Sequence, residues 1–392
     1  MKKSFILSIL MLLVVSNAFA TNGMRMIGFG PVQDSMGGAS VGVNLDAASV
    51  LTNPAGIQSL GSRVDFGASY FNPTVKTEMM GTEFTSDKKP SPVPALGMVV
   101  PLNADLSFGL GAYGISGMGV DYDLGPMMGG LLYTNYTNMR FAPGLAYKLN
   151  DMISLGATLN VMYATMEYSM AMDTDNNGVP DMRAANMASS SFGYGASFGI
   201  TVKPADMVTV GLVYETTSKF QDFEFNQSDS SSVTSTSKNK LKFDQPMNAT
   251  LGFGFKPVTG LVLAFDVQWI KWSEVAGNDL PEYTGGNFNM QWEDQIVYKF
   301  GLQYEVIPMV KVRAGVNYGK MPLSEDTTAL QANTFFPAVS EWHYTAGLGI
   351  KATDKLTVDL GYMYSPEAKV DSSYGESKMS QYSLDMGIAY NF

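Results

Sequence analysis

The 392-residue chain contains no cysteine, so neither a disulfide framework nor a thiolate metal site holds it together. It contains a single histidine, His343, which leaves acid–base and nucleophilic catalysis short of participants; an enzyme is not expected. Charged residues are scarce, at 16% against about 25% in ordinary soluble domains. Basic ones are scarcest, 25 against 36 acidic, for a net charge of −11. Such a surface repels a polyphosphate backbone and excludes nucleic acid as a partner. Beyond residue 15, Gly, Ser, Asn or a charge interrupts every apolar run, so none reaches the roughly 20 residues of a transmembrane helix.

What is present begins with an export signal. Lys2 and Lys3 precede an apolar run over residues 5–15, and Ala18-Phe19-Ala20 places small residues at −3 and −1. Cleavage is expected after Ala20, making residues 1–20 a signal peptide. An exported chain is either soluble in the periplasm or medium, or a barrel in the bacterial outer membrane. Aromatics at 12%, 40 glycines and a mean hydropathy of +0.01 favour the barrel, whose strands alternate lipid-facing and water-facing side chains. The partners implied are outer-membrane lipid and lipopolysaccharide around a monomer.

From about residue 62 the chain repeats with period two. Tyr382, Leu384, Met386, Ile388, Tyr390 and Phe392 share one face, and Ser383, Asp385, Gly387, Ala389 and Asn391 the other. Leu261, Leu263, Phe265, Val267 and Trp269 form a second apolar face, and Val310, Val312, Ala314, Val316 and Tyr318 a third. Period two is the signature of a strand with different surroundings on its two sides. Short turns near 103–105, 150–151, 204–206, 257–260, 307–309 and 353–354 alternate with long polar segments near 76–92, 118–133, 173–188, 226–240, 275–290, 321–340 and 366–380. This spacing predicts an all-β fold. It is a 14-stranded antiparallel transmembrane barrel over 61–392, with short turns and both termini on the periplasmic side.

Residues 21–60 break the period. They are rich in Gly, Ala and Asn, with a short helix expected over 46–51 and stopped by Asn53-Pro54. They carry apolar residues and no charge runs, which favours a plug (hatch) folded into the lumen; the alternative is a disordered periplasmic tail.

The mature N-terminus resembles the FadL-type outer-membrane transporters of long-chain fatty acids and other hydrophobic compounds. The resemblance rests on Thr21-Asn22-Gly23, Gly28-Phe29-Gly30, Ser35-Met36-Gly37-Gly38-Ala39, and Asp46-Ala47-Ala48 followed by Thr52-Asn53-Pro54-Ala55-Gly56. It implies passive uptake of fatty acids, alkanes or aromatic hydrocarbons through a plugged barrel. Asn53, Pro54 and Ala55 would shape the plug. A kinked third strand, Leu106–Met118, would open the wall at Gly109, Gly111, Gly114 and Gly117. A general porin or a surface adhesin is the alternative.

Ligand contacts are expected from Met24, Met26 and Phe29, since thioethers and aromatics pack against irregular apolar molecules. Lys299 and Arg313 face the lumen by alternation, as do Asp266, Glu305, Asp359 and Asp385. Arg313 could grip a carboxylate bidentately, or these charges pair among themselves or with the plug.

Three patterns carry competing chemistry. Asp173, Asp175, Asn177, Val179 and Asp181, with Gly178 at the turn, have the spacing of a calcium loop. The closing position is Ala184, where a bidentate Glu belongs, so a structural calcium and a plain polar turn both fit; no other cofactor is expected. Gly38-Ala39-Ser40-Val41-Gly42 fits a nucleophile elbow but lacks its strand–turn–helix context. Gly109-Leu110-Gly111-Ala112-Tyr113-Gly114 fits a dinucleotide fingerprint but lies within a strand.

Overall fold

The computed structural model describes residues 22–79, 81–125, 130–172, 182–228, 236–278, 280–283, 289–325, 332–371 and 375–392. Fourteen strands close into a single antiparallel barrel. In order they are Arg63–Met79; Thr82–Thr85 with Ser91–Pro101; Leu106–Met118 with Asp121–Asp123; Leu131–Lys148; Ile153–Met172; Met182–Ala205; Val208–Glu215 with Lys219–Phe220; Asn248–Phe255; Leu261–Ile270; Gln295–Ile307; Val310–Gly319; Trp342–Lys351; Leu356–Asp371; and Gly375–Asn391. The first strand pairs with the fourteenth from Arg63↔Asn391 to Met79↔Gly375, so the ring of strands closes on itself, as a barrel in lipid requires.

Alternation follows the expected parity. Phe66, Leu384, Met386 and Ile388 point outward with about half of their surface exposed, while Ser383 and Asp385 between them are buried inside. Aromatics crowd the outward face at its edges, as in the stack of Tyr318, Trp342 and Tyr344 near the long-loop end, which suits the interfacial belt of a bilayer.

Several segments expected to be loops are ordered. The thirteenth strand continues to Asp371 and the fourteenth resumes at Gly375, where 366–380 read as a long polar loop. Outward-facing Lys369 pairs with Glu376 at 3.0 Å, and cross-strand ion pairs let a polar sequence keep the ladder. Within 226–240 the chain forms a hairpin, Phe223–Ser228 with Thr236–Leu241, whose Phe223, Phe225 and Leu241 join the interior apolar cluster.

Residues 22–60 lie inside the barrel, nearly all of them buried. Their helices are Pro31–Asp34 and Ser49–Thr52, followed by a 3-10 turn over Pro54–Ser59. The helix expected over 46–51 thus starts later and ends against Asn53. Asn53 Nδ2 donates to Val41 O (2.8 Å) and Thr201 Oγ1 (3.0 Å), and its Oδ1 accepts from Ala55 N (3.2 Å). The Asn-Pro-Ala turn sits against the wall because the fifth and sixth strands carry glycine there. A Cβ at Gly156 would come within 2.3 Å of Ala55 N, and one at Gly199 within 2.5 Å of Asn53 Oδ1.

Candidate functional site

The third strand leaves the wall partway up. From Ser107 to Tyr113 it pairs with both neighbours. Its register against the fourth strand then slips between Gly114 and Ser116, a bulge. Its last partner in the second strand is Ala95, opposite Tyr113. The residues that would come next, Ser91, Pro92, Val93 and Pro94, pair only with the first strand, and two of them have no N–H to offer. The wall closes again above. Asp87 N donates to Asp121 O (2.7 Å), Asp121 N to Ser86 Oγ (2.9 Å), and Lys88 Nζ reaches across to Thr134 O (3.0 Å) over the Tyr133 ring. The result is a framed gap between the second and third strands. Burial brings the Lys88 ammonium down to about 8, against the pull of Asp121 and Glu167.

The N-terminal segment fills this gap from inside. Met26 N donates to Ile115 O (3.0 Å) and Gly117 N to Met24 O (3.1 Å), with Arg25 opposite Ser116. Three residues of the segment therefore serve as the strand the wall lacks. Met24 and Met26 are buried, and Gln245 Nε2 approaches the Met24 sulfur at 3.3 Å.

Behind the gap sits a buried ion cluster. Arg25 donates through both terminal nitrogens to Glu215, which also receives Nη2 of Arg140. Two guanidiniums against one carboxylate leave a surplus positive charge, and Arg140 Nε and Nη1 have no partner among the described residues. A buried charge is tolerated only when paired, so this spot favours an anion. Arg25 also lies over the Phe29 ring, 5.8 Å from its centre.

Above the cluster the lining is apolar: Ile115, Met118, Tyr136, Met162, Phe223, Phe243, Trp272, Trp292 and Phe336 are all buried in one cluster. Trp272 meets Trp292 edge-on at 5.1 Å, and Phe243 meets Phe336 at 6.4 Å, so loop residues roof the interior.

The anticipated residues fall in different places. Met24, Met26 and Phe29 adjoin the gap. Lys299 donates to Ile27 O (3.1 Å) beneath the N-terminal segment. Arg313 is held by Asp359 (2.7 Å) and Gln303 (2.8 Å). It lines a cavity of about 430 Å³ at the short-turn end with Arg63, Lys311 and Asp359, away from the apolar lining. Gly109 and Gly111 stand in the fully paired part of the third strand, where a Cβ would strike Val50 and Leu51; Gly114 and Gly117 lie where pairing to the second strand has ended. The Gly38–Gly42 stretch is fastened to the wall: Ser40 N and Val41 N both donate to Asp266 Oδ2 (2.8 and 2.9 Å), and Ser40 Oγ donates to Gly38 O (3.4 Å). Asp173, Asp175, Asn177, Val179 and Asp181 lie outside the described residues. Arg25, Arg140 and Glu215 were not singled out in the sequence. The inward parity of Arg140 beside Asn138 and Ala142 was the available signal.

Comparison with known proteins agrees with this architecture. The profile of a family described as outer membrane protein transport protein (OMPP1/FadL/TodX) matches residues 9–389. Outer membrane protein P1 of Haemophilus influenzae is 22% identical over 91% of this chain and 81% of its own length. Among solved structures, the toluene transporter TodX of P. putida superposes with a TM-score of 0.76 at 18% identity, covering 93% of this chain and 99% of that one. A Pseudomonas aeruginosa FadL homologue gives 0.76 at 17%, covering 94% and 100%.

Proposed function

The chain belongs to the outer-membrane transport protein family of OMPP1, FadL and TodX, and on that premise we propose that it passes hydrophobic molecules inward passively and releases them sideways, between its second and third strands, into the lipid. The observation that carries the reading is the substitution of Met24–Met26 for a wall strand opposite Ile115–Gly117. This peptide makes two backbone hydrogen bonds to the third strand, far fewer than a full strand of the wall, so opening the ring there breaks the least backbone pairing.

The physical reason for a side exit is solvation. Transfer of one methylene out of water is worth about 0.8 kcal/mol, so a chain of roughly 15 gains on the order of 12 kcal/mol in an apolar chamber. Release into the aqueous periplasm returns most of that, whereas release into lipid does not. The N-terminal segment acts as the hatch that blocks straight passage, which distinguishes this route from that of an open porin. The Arg140 donors that have no partner among the described residues, and the surplus charge beside them, favour a carboxylate-bearing amphiphile over a plain hydrocarbon.

A cross-link tests the route. A Cβ at Gly114 would come within 2.6 Å of the Val93 Cγ1, close enough that the Val93 side chain must shift, and the chain has no cysteine of its own. Cells carrying Val93→Cys with Gly114→Cys are expected to take up labelled long-chain fatty acid when reduced and to lose that uptake when oxidised, with both single variants active throughout. Equal uptake in the oxidised form rules out the sideways path.

A further inference from the structure

We propose that the inner wall between the eleventh and fourteenth strands holds a second ligand subsite, for a neutral hydroxyl group on an otherwise apolar molecule. It rests on the reading that ligands enter the apolar interior, and it adds which polar group they carry.

Asn317 and His343 are cross-strand neighbours on the eleventh and twelfth strands, so their side chains stand side by side on the inner face. Both are fully buried. Gln381 Nε2 donates to His343 Nε2 (3.0 Å), Ser340 Oγ lies 3.0 Å from the same nitrogen, and Ser340 Oγ is 2.9 Å from Ser365 Oγ. Because His343 Nε2 accepts, the neutral ring carries its proton on Nδ1. Asn317 Nδ2 donates to Gly37 O (3.2 Å), which leaves its Oδ1 as the acceptor. Three atoms of the group have no partner among the described residues: His343 Nδ1, Asn317 Oδ1 and Gln381 Oε1.

One donor and two acceptors complement a hydroxyl, which accepts from the Nδ1–H and donates its single proton to either amide oxygen. A carboxylate would set its charge against both oxygens, and a hydrocarbon would leave all three atoms unpaired, which is unfavourable for buried polar groups. The position suits a ligand site. Thr345, the next inward residue below His343, holds the N-terminal segment through Gly37 N and Ser35 O, both at 3.0 Å. Above, Ser340 follows Ala338 and Val339, which belong to the interior apolar cluster together with Met363 and Met379. The polar group is thus set into the apolar lining between floor and roof. Among the described residues the ring is hydrogen-bonded by Ser340 and Gln381 and by no carboxylate.

The test compares two probes of one skeleton, 4-ethylphenol and ethylbenzene, by quenching of Trp272 and Trp292 fluorescence in the folded, detergent-purified protein. The wild type is expected to prefer the phenol by about tenfold, as for one recovered buried hydrogen-bonding group, and His343→Phe to bring the ratio near one. Gln381→Leu, which removes one acceptor and keeps the His343–Ser340 contact, is expected to reduce the ratio and carries the test if His343→Phe does not fold. A buried network with a purely structural role would change thermal stability in both variants and leave the ratio untouched; that result, or no preference in the wild type, overturns the subsite alone. Failure to bind either probe overturns the chamber reading with it.

Discussion

Arg25 and Glu215, 190 residues apart in the chain, meet inside the barrel through two hydrogen bonds of 3.2 and 2.9 Å. This contact ties the peptide that fills the wall gap to the seventh strand. Arg140 shares the same carboxylate, so one glutamate serves both guanidiniums beside the gap.

Glu215→Gln removes that counter-charge from both guanidiniums. Breaking a buried pair typically costs about 3–5 kcal/mol, and much of the cost is relieved if Arg25 leaves. The expected outcome is a barrel that still migrates as folded on unheated gels, with residues 22–30 open to added protease. Protection equal to that of the wild type would show that backbone pairing alone holds the peptide.

Asn53→Ala removes two donated hydrogen bonds and one accepted one from the Asn-Pro-Ala turn. At about 0.5–1.5 kcal/mol each, more where a buried partner is stranded, the loss is expected to total about 2–4 kcal/mol. The check is thermal unfolding in detergent, with the early transition assigned to the N-terminal segment by hydrogen exchange.

Gly156→Val tests close approach instead of hydrogen bonding. A Cβ there has no room beside Pro54 and Ala55, while the strand itself tolerates a β-branched residue well. The barrel should assemble, and single-channel recordings should show a conductance that the wild type lacks. A silent trace would mean that the turn shifts without unseating the segment.

Lys88 frames the upper edge of the gap, and its ammonium, brought down by burial to about 8, has an ordinary value of 10.5. A lowered lysine value means that the folded state disfavours the charge. The penalty is therefore fully present below pH 8 and fades as pH rises from 8 to 10.5. Exchange protection of residues 86–90 should increase across that window, and Lys88→Met should abolish the increase.

The barrel was legible because lipid imposes a strict rule on each strand: every second residue must be apolar, and the rule is written locally, as in residues 382–392 or 310–318. Strand number followed from the alternation of short and long connections, and the third strand at Leu106–Met118 was expected from the family resemblance. The strand extensions at Asp371 and Gly375 were missed because, beyond the lipid, polar residues can face both ways and the period carries no contrast.

The amino-acid sequence by itself determined the class of the molecule, its destination and the motif that turns the N-terminal segment at Asn53, since each depends on neighbours within a few residues. Only the tertiary structure decided which residues form the gap, the ion cluster and the polar group around His343. Met24 meets Gly117, Arg25 meets Glu215 and Arg140, and His343 meets Gln381 across separations that carry no local pattern. An inward charge reads the same in sequence whether it pairs with a residue two strands along the same wall, as Arg313 does with Asp359, or keeps donors without a partner among the described residues, as Arg140 does. The difference lies in which residues the closed ring of strands sets beside it.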